Sequence, residues 1–243
     1  MEGNMKPNIE VYSTLARNVF INESGQIIKK LLGGPATFIQ QTLDTVAVPY
    51  TLNLTNKVTV EILLTNQGEY GRIINPPKKK QVKPKKNKSL LLISTLLDEW
   101  MLPKKPSNIF LDIQGYVRNG LEFGGMKKFV INSELEAGLV CVKAEKNEAK
   151  ILQPEFLERQ KMKQLVITNG REGLDLFIKG KKYSISAQQI SNLPDTVGAG
   201  DTWFSAYAAY QTLNFNCLTS AYKATNFVGQ FLKNKKKEKY ENK

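Results

Sequence analysis

The chain has 243 residues, 41% of them hydrophobic and 23% charged, with 35 basic against 22 acidic side chains and a net charge of +13. That is ample for a sizeable core and excludes wholesale disorder, while the longest apolar stretch, Leu90 to Leu97, is far short of the roughly 18 residues that span a bilayer, and the first residues carry no apolar secretory segment. The absence of histidine excludes Ser-His-Asp and Cys-His catalysis and histidine metal sites, and the two cysteines, Cys141 and Cys217, make no disulfide framework and fit a reduced, cytoplasmic setting.

In chain order, Ile9 to Ser13 reads as a first strand, rich in β-branched and aromatic residues. Val19 to Lys29 reads as a hairpin around Asn22-Glu23-Ser24-Gly25. Gly33-Gly34-Pro35 opens a helix to about Leu43, because proline suits the first helical turn and Phe38, Ile39 and Leu43 share a face. From Thr45 to Ile74 the pattern is β-like, with VTVEILLT its clearest strand, and residues 9–29 and 45–75 can form a small separate sheet. The run from Lys78 to Lys88 reads as a loop.

Beyond it, short apolar strands alternate with helices. Leu90 to Ile93, Asn108 to Ile113, Phe129 to Ile131, Leu139 to Val142, Gln164 to Thr168, Leu174 to Ile178 and Tyr183 to Ile185 are the apolar runs. A short helix is predicted over Leu96 to Met101, and longer ones over Gly200 to Thr212 and Leu218 to Leu232. This alternation predicts an α/β fold with a parallel sheet covered on both faces. One domain over residues 1–232 and a flexible lysine-rich tail over 233–243 are expected.

The positive charge is concentrated. Residues 78–88 hold seven lysines and no acid, and residues 233–243 hold six lysines and two glutamates, which leaves +2 for everything else. Base-edge readers use arginine, asparagine and glutamine on a helix or strand, and stacking readers interleave aromatics. Neither feature is present, so these segments read as solvated loop and tail, and nucleic-acid binding through them is the weakest of the functional alternatives.

The most informative segment is Asp195 to Ala208, DTVGAGDTWFSAYA. Glycines just before a helix let the chain turn tightly and aim several unpaired backbone N–H groups at one point, which the helix dipole makes an anion site. An acid directly beyond, Asp201, would repel a resting anion. It makes sense where the anion is a phosphoryl group in transit and the acid takes the attacking hydroxyl's proton. At an ordinary aspartate pKa near ~3.9 it would be ionised at neutral pH. The bland alternative is a helix cap after a glycine turn. Neither a dinucleotide fingerprint nor a P-loop is present.

This segment resembles the C-terminal signature of the ribokinase-like, or PfkB, family of small-molecule kinases, whose archaeal-type sugar kinase branch is suggested by the DIQGYVR segment at 112–118. LLGGPATF at 31–38 resembles that family's N-terminal glycine pair, TNGREG at 168–173 its T-x-G-x-x-G segment, and DIQGYVR at 112–118 an aspartate-to-arginine segment of several members. The resemblance implies a three-layer αβα ribokinase-like fold with a mostly parallel central sheet and a small, reduced β lid. It implies Asp201 as the base and the amides of Gly198, Ala199 and Gly200 as the hole for the phosphoryl oxygens. Thr168, Gly170, Gly173, Thr196 and Asn226 would lie along ATP, Asn18, Gly33 and Gly34 near the hydroxyl substrate, and Glu148 near the hydrated Mg²⁺; Arg118 would touch a phosphate or an acidic group of the substrate, or pair with a neighbouring acid. A homodimer through the early sheet is a further family expectation. Two departures stand out: Glu145 occupies the asparagine position of the family's N-x-x-E motif, and Asn18 stands where relatives carry an aspartate. They motivate a rival reading, a catalytically weak nucleotide- or sugar-binding regulator of the same fold.

Overall fold

The computed structural model describes residues 9–66, 68–85, 89–103, 107–191, 193 and 195–241, with the backbone alone for 237–241. The chain runs β1 (Ile9–Ser13), β2 (Ala16–Ile21), β3 (Ile27–Gly33), α1 (Pro35–Val46), β4 (Tyr50–Leu54), β5 (Val58–Thr65), β6 (Gly68–Ile73), β7 (Lys80–Gln81), β8 (Leu90–Ser94), β9 (Trp100–Met101) and β10 (Ile109–Asp112). It continues through α2 (Gln114–Val117), α3 (Ser133–Gly138), β11 (Leu139–Glu145), α4 (Lys146–Ala149), α5 (Pro154–Lys161), β12 (Gln164–Thr168), β13 (Leu174–Ile178), β14 (Lys181–Ile185), α6 (Ala199–Thr212) and α7 (Cys217–Glu241).

Eight strands form the central sheet in the order β14-β13-β12-β11-β10-β8-β1-β4, parallel except for the antiparallel pairs that β13 makes with β12 and β14. Alternate side chains of each strand face opposite layers. Ile9, Val11, Leu90, Leu92, Cys141 and Val166 pack under α1, α6 and α7 with Ile39, Leu43, Phe204 and Tyr207. Tyr12, Leu91, Ile93, Leu111, Val142 and Leu165 form the second core with Val117, Leu135 and Phe156 of α2, α3 and α5. Burial on both faces explains why these strands read as continuous apolar runs. The lid is a separate four-stranded sheet, β3-β2-β5-β6, with Ala16, Phe20, Val58, Val60 and Ile62 as its own core.

Four local expectations are corrected. Leu96 to Met101 is not a helix: the buried Glu99 carboxylate accepts the Leu97 N–H at 2.9 Å and meets the Thr14 hydroxyl, which itself accepts the Leu96 N–H, so the segment folds inward and ends in β9. The lysine run is not wholly loop, because Lys80 and Gln81 pair in parallel with Trp100 and Met101 and Val82 is buried; Lys86, Asn87 and Lys88 lie outside the described residues. Phe129 to Ile131 forms no strand. Finally, α7 does not end at Leu232 but continues through the lysine-rich segment to Glu241; Asn242 and Lys243 lie outside the described residues. No helix among the described residues is long and apolar enough to cross a membrane.

Candidate active site

In an open parallel sheet, strand ends and the helices that follow them leave a crevice beyond the carboxyl edge. Here Ser13, Ser94, Asp112, Glu145 and Thr168 are the last residues of β1, β8, β10, β11 and β12. The start of α6 is brought to this edge, because Asp201, in its first turn, accepts the Ser94 hydroxyl at 2.9 Å and the Gln114 amide at 3.2 Å on Oδ1. Asp112 lies beside it, with Ser94 Oγ 3.3 Å from Asp112 Oδ2. Lys143, next to Asp112 across the β10–β11 pair, donates to that carboxylate at 2.6 Å in an ion pair almost closed to solvent.

The electrostatics follow from this crowding. Burial, and then the charge of Asp112, push the Asp201 carboxyl up to about 6, against the opposing pull of Lys143, the Ser94 hydrogen bond and Arg118. The ordinary value expected from sequence is thereby corrected. Asp201 titrates near neutrality, where a group that takes and returns a proton works best. Burial alone would lower the Lys143 ammonium, but Asp112, Glu148 and Asp201 raise it above its ordinary value.

The glycine turn has the geometry expected of it, with one correction. Gly198, the residue capping α6, has φ 86°, and a Cβ there would drive into the Phe38 ring of α1. Glycine is therefore required both by the left-handed backbone and by the close packing. The N–H groups of Gly198 and Gly200 meet no acceptor among the described residues. The Ala199 N–H, by contrast, donates to the Thr196 carbonyl at 3.0 Å and is occupied by the turn itself. A Cβ added to Gly200 would lie 3.3 Å from Lys143 Nζ, so the buried ammonium sits directly beside the turn.

The acceptor-side residues also meet. Gly34 caps α1 at φ 80°, and a Cβ there would stand 2.6 Å from the Thr14 carbonyl. Gly33 leaves its side bare for the buried carboxamide of Asn18 on the adjacent lid strand. On the other side, Thr168 ends β12, Gly170 and Gly173 flank the turn that follows, and the Thr168 hydroxyl reaches the Ala144 carbonyl at 3.4 Å. Thr196 is held by the lid, its N–H donating to Glu69 of β6 at 2.7 Å. Asn226 on α7 accepts from the Gln188 side chain at 3.3 Å.

Arg118 and Glu148 form one unit, with the guanidinium 2.6 Å from Glu148 and 3.5 Å from Glu145. Burial raises the Glu148 carboxyl, but Arg118, Lys143 and the Glu145 N–H outweigh it and hold the group below its ordinary value. Each Glu148 oxygen is already engaged, one by Arg118 and the other by the Glu145 N–H at 2.8 Å. No group of three acidic or cysteine side chains arranged for a metal ion occurs among the described residues. Arg118 is thus held in the ion pair with a neighbouring acid that the sequence offered as one of its roles.

Sequence reasoning gave no role to Ser94, Gln114, Asp112, Lys143 or Asp195. The available signal was a lysine inside the otherwise apolar run LVCVKA, since a charge there has to be buried with a partner.

A carboxylate at the start of a helix thus lies beside a glycine turn with unpartnered amides, beyond the carboxyl edge of a parallel sheet, on a ribokinase-like fold. Comparison with solved structures agrees on that fold. The chain is similar to a pyrophosphate-dependent kinase in the ribokinase family, complexed with a pyrophosphate analog and myo-inositol, at 14% identity over 93% of this chain and 94% of that one, with a TM-score of 0.65. It is similar to Arabidopsis thaliana ribokinase complexed with ribose and ATP at 16% identity over 90% and 91%, TM-score 0.60, and to Methanocaldococcus jannaschii nucleoside kinase at 13% over 94% and 92%, TM-score 0.65. No curated protein matches the chain by sequence. Residues 125–232 match the model of the pfkB family carbohydrate kinases.

Proposed function

We propose that this chain is a kinase that transfers the γ-phosphoryl group of ATP to a hydroxyl of a small sugar, polyol or nucleoside, with Asp201 as the base. The observation that carries this reading is the Asp201 carboxylate, oriented by Ser94 and Gln114, beside the unpartnered amides of Gly198 and Gly200. Asp201 accepts the hydroxyl proton as the oxygen attacks phosphorus in line, and the two amides and the neighbouring Lys143 ammonium take up charge on the phosphoryl oxygens. Asn18, Gly33 and Gly34 form the acceptor side, while Thr168, Gly170, Gly173, Thr196 and Asn226 lie toward the donor. Mg²⁺, when bound, would neutralise charge on the donor phosphates, and Glu148 is the residue expected near it.

A second donor is favoured by one contact. Gln188 bonds Asn226 and occupies the space a Cβ on Gly229 would need, so the α7 position expected to approach the adenine already has a partner. Inorganic pyrophosphate needs no base site. The deciding experiment incubates the protein with ATP or pyrophosphate and ribose, myo-inositol or inosine, and follows ADP or phosphate release. Acceptor-dependent release that Asp201→Asn cuts by orders of magnitude is the expected result. Nucleotide binding without turnover would leave a non-catalytic regulator, and undiminished turnover in Asp201→Asn would remove the mechanism.

A further inference from the structure

The lysine-rich end of α7 has no part in the reading above, yet one of its side chains reaches the phosphoryl-binding turn. Lys235 lies three positions past the last residue of the family match. Its Nζ donates to Asp195 Oδ1 at 2.6 Å and to the Val197 carbonyl at 2.8 Å. Its stem passes the T-shaped pair of Phe38 and Phe231, with the ammonium 5.8 and 5.3 Å from their ring centroids. Asp195 is nearly closed to solvent and also accepts Lys29 of β3 at 2.7 Å and the Val197 N–H at 3.2 Å.

The contact with Val197 has a directional consequence. In a trans peptide the C=O and the following N–H point to opposite sides. With the Val197 carbonyl drawn onto Lys235, the Gly198 N–H is turned away from the lysine. It is one of the two amides that meet no acceptor. Gly198 is also where the backbone is least constrained by side-chain sterics, so this peptide is free to rotate unless something holds it.

We propose that Lys235 is a positioning residue for phosphoryl transfer. Its ammonium is a built-in cation that ties the Asp195 carboxylate to the Val197 carbonyl and holds the Gly198 amide toward the incoming phosphoryl group. This rests on the reading of the Gly198–Asp201 segment as a phosphoryl-transfer site. Lys235 touches neither donor nor acceptor; it acts through the turn.

The test uses the full chain with ATP or pyrophosphate, whichever supports turnover, and the best of ribose, myo-inositol and inosine. Lys235→Met keeps the stem against Phe38 and Phe231 and removes the charge, while Lys235→Ala opens a space for a small cation. Both variants are expected to lower kcat by about a hundredfold, the scale of a misplacement of roughly 1 Å at a reacting group, with KM for the acceptor changed less than about threefold. Ethylammonium should restore part of the kcat of Lys235→Ala and do nothing for the wild type, and Lys235→Arg should retain more activity than Lys235→Met. A variant with wild-type kcat, or a loss that ethylammonium and arginine both fail to restore in folded protein, overturns the proposal. A wild-type chain inactive with both donors overturns the underlying site reading instead, and the two failures are therefore distinguishable.

Discussion

Asp201 is held at a value near neutrality by its surroundings, which makes its protonation state measurable in activity. Its carboxyl ionises at about 6 when folded against an ordinary 3.8, and the ionised form is the one that accepts a proton. Turnover should therefore rise with pH through a limb near 6, and Lys143→Met, which removes the nearest opposing charge, should move that limb upward in a pH–kcat profile. The stability sign is opposite. A folded carboxyl with a raised pKa costs nothing below the ordinary value and destabilises progressively as pH rises through the folded value. Asp201→Asn should then be more stable than wild type above pH 6, read as a higher urea midpoint, while losing activity. The Asp112–Lys143 pair is a separate case. Removing one member leaves a buried charge without its nearest partner, so Asp112→Asn should cost about 3 kcal/mol, and Asp112→Asn with Lys143→Met distinctly less than the sum of the two single changes. Additive losses in urea titrations would contradict that coupling. Asp201 and the glycines before it could be picked out from sequence because a glycine turn followed by an acid and a helix is a local pattern. Ser94 could not, and Asp112 and Gln114 were visible only as part of the DIQGYVR segment with no link to Asp201, because the three lie 107, 89 and 87 residues away in the chain and are brought to it only by strand order.

At the scale of elements, periodicity located the buried strands well because burial on both faces leaves continuous apolar runs. It failed at Leu96 to Met101, where the apolar spacing suits a helix but Glu99 turns inward to the amides of that same segment. It also stopped α7 at Leu232, since the lysines that follow carry no apolar face. Packing decides there, through Lys235 on Asp195. The junctions between elements are the fragile points. Gly34→Ala would force a Cβ against the Thr14 carbonyl at φ 80°, a strain of about 1–3 kcal/mol. Its urea midpoint should fall, whereas an alanine at Gly25, which has the same φ but open space around it, should cost less.

For the whole molecule, the lid and the body meet through charged contacts at the site, together with Leu96, Leu97 and Val197 packed against the lid's own core. Lys29 of β3 pairs with Asp195 and Glu69 of β6 accepts from Thr196, so the lid sheet is fastened to the residues that lead into the glycine turn. Burial raises the Glu69 carboxyl above its ordinary value, with the Thr196 N–H pulling the other way. Glu69→Ala should accelerate amide hydrogen exchange in β5 and β6 while leaving β8, β10 and β11 protected, because the two cores are separate. Equal acceleration throughout would mean that lid and body unfold as one unit.

The sequence by itself determined the class of fold, the order of its strands along the chain, the glycine turn and the acid that follows it. These are written in local spacing, which burial and backbone sterics impose residue by residue. Only the tertiary structure decided that Asp201 titrates near 6, that Glu148 is the acid with which Arg118 chiefly pairs, that the Ala199 amide is already taken, and that a lysine from the basic end of the chain reaches the residues leading into the glycine turn. Each of those depends on a charge or a donor from a distant strand or helix, and Coulomb forces and hydrogen bonds act over ångströms of space, not positions in the chain.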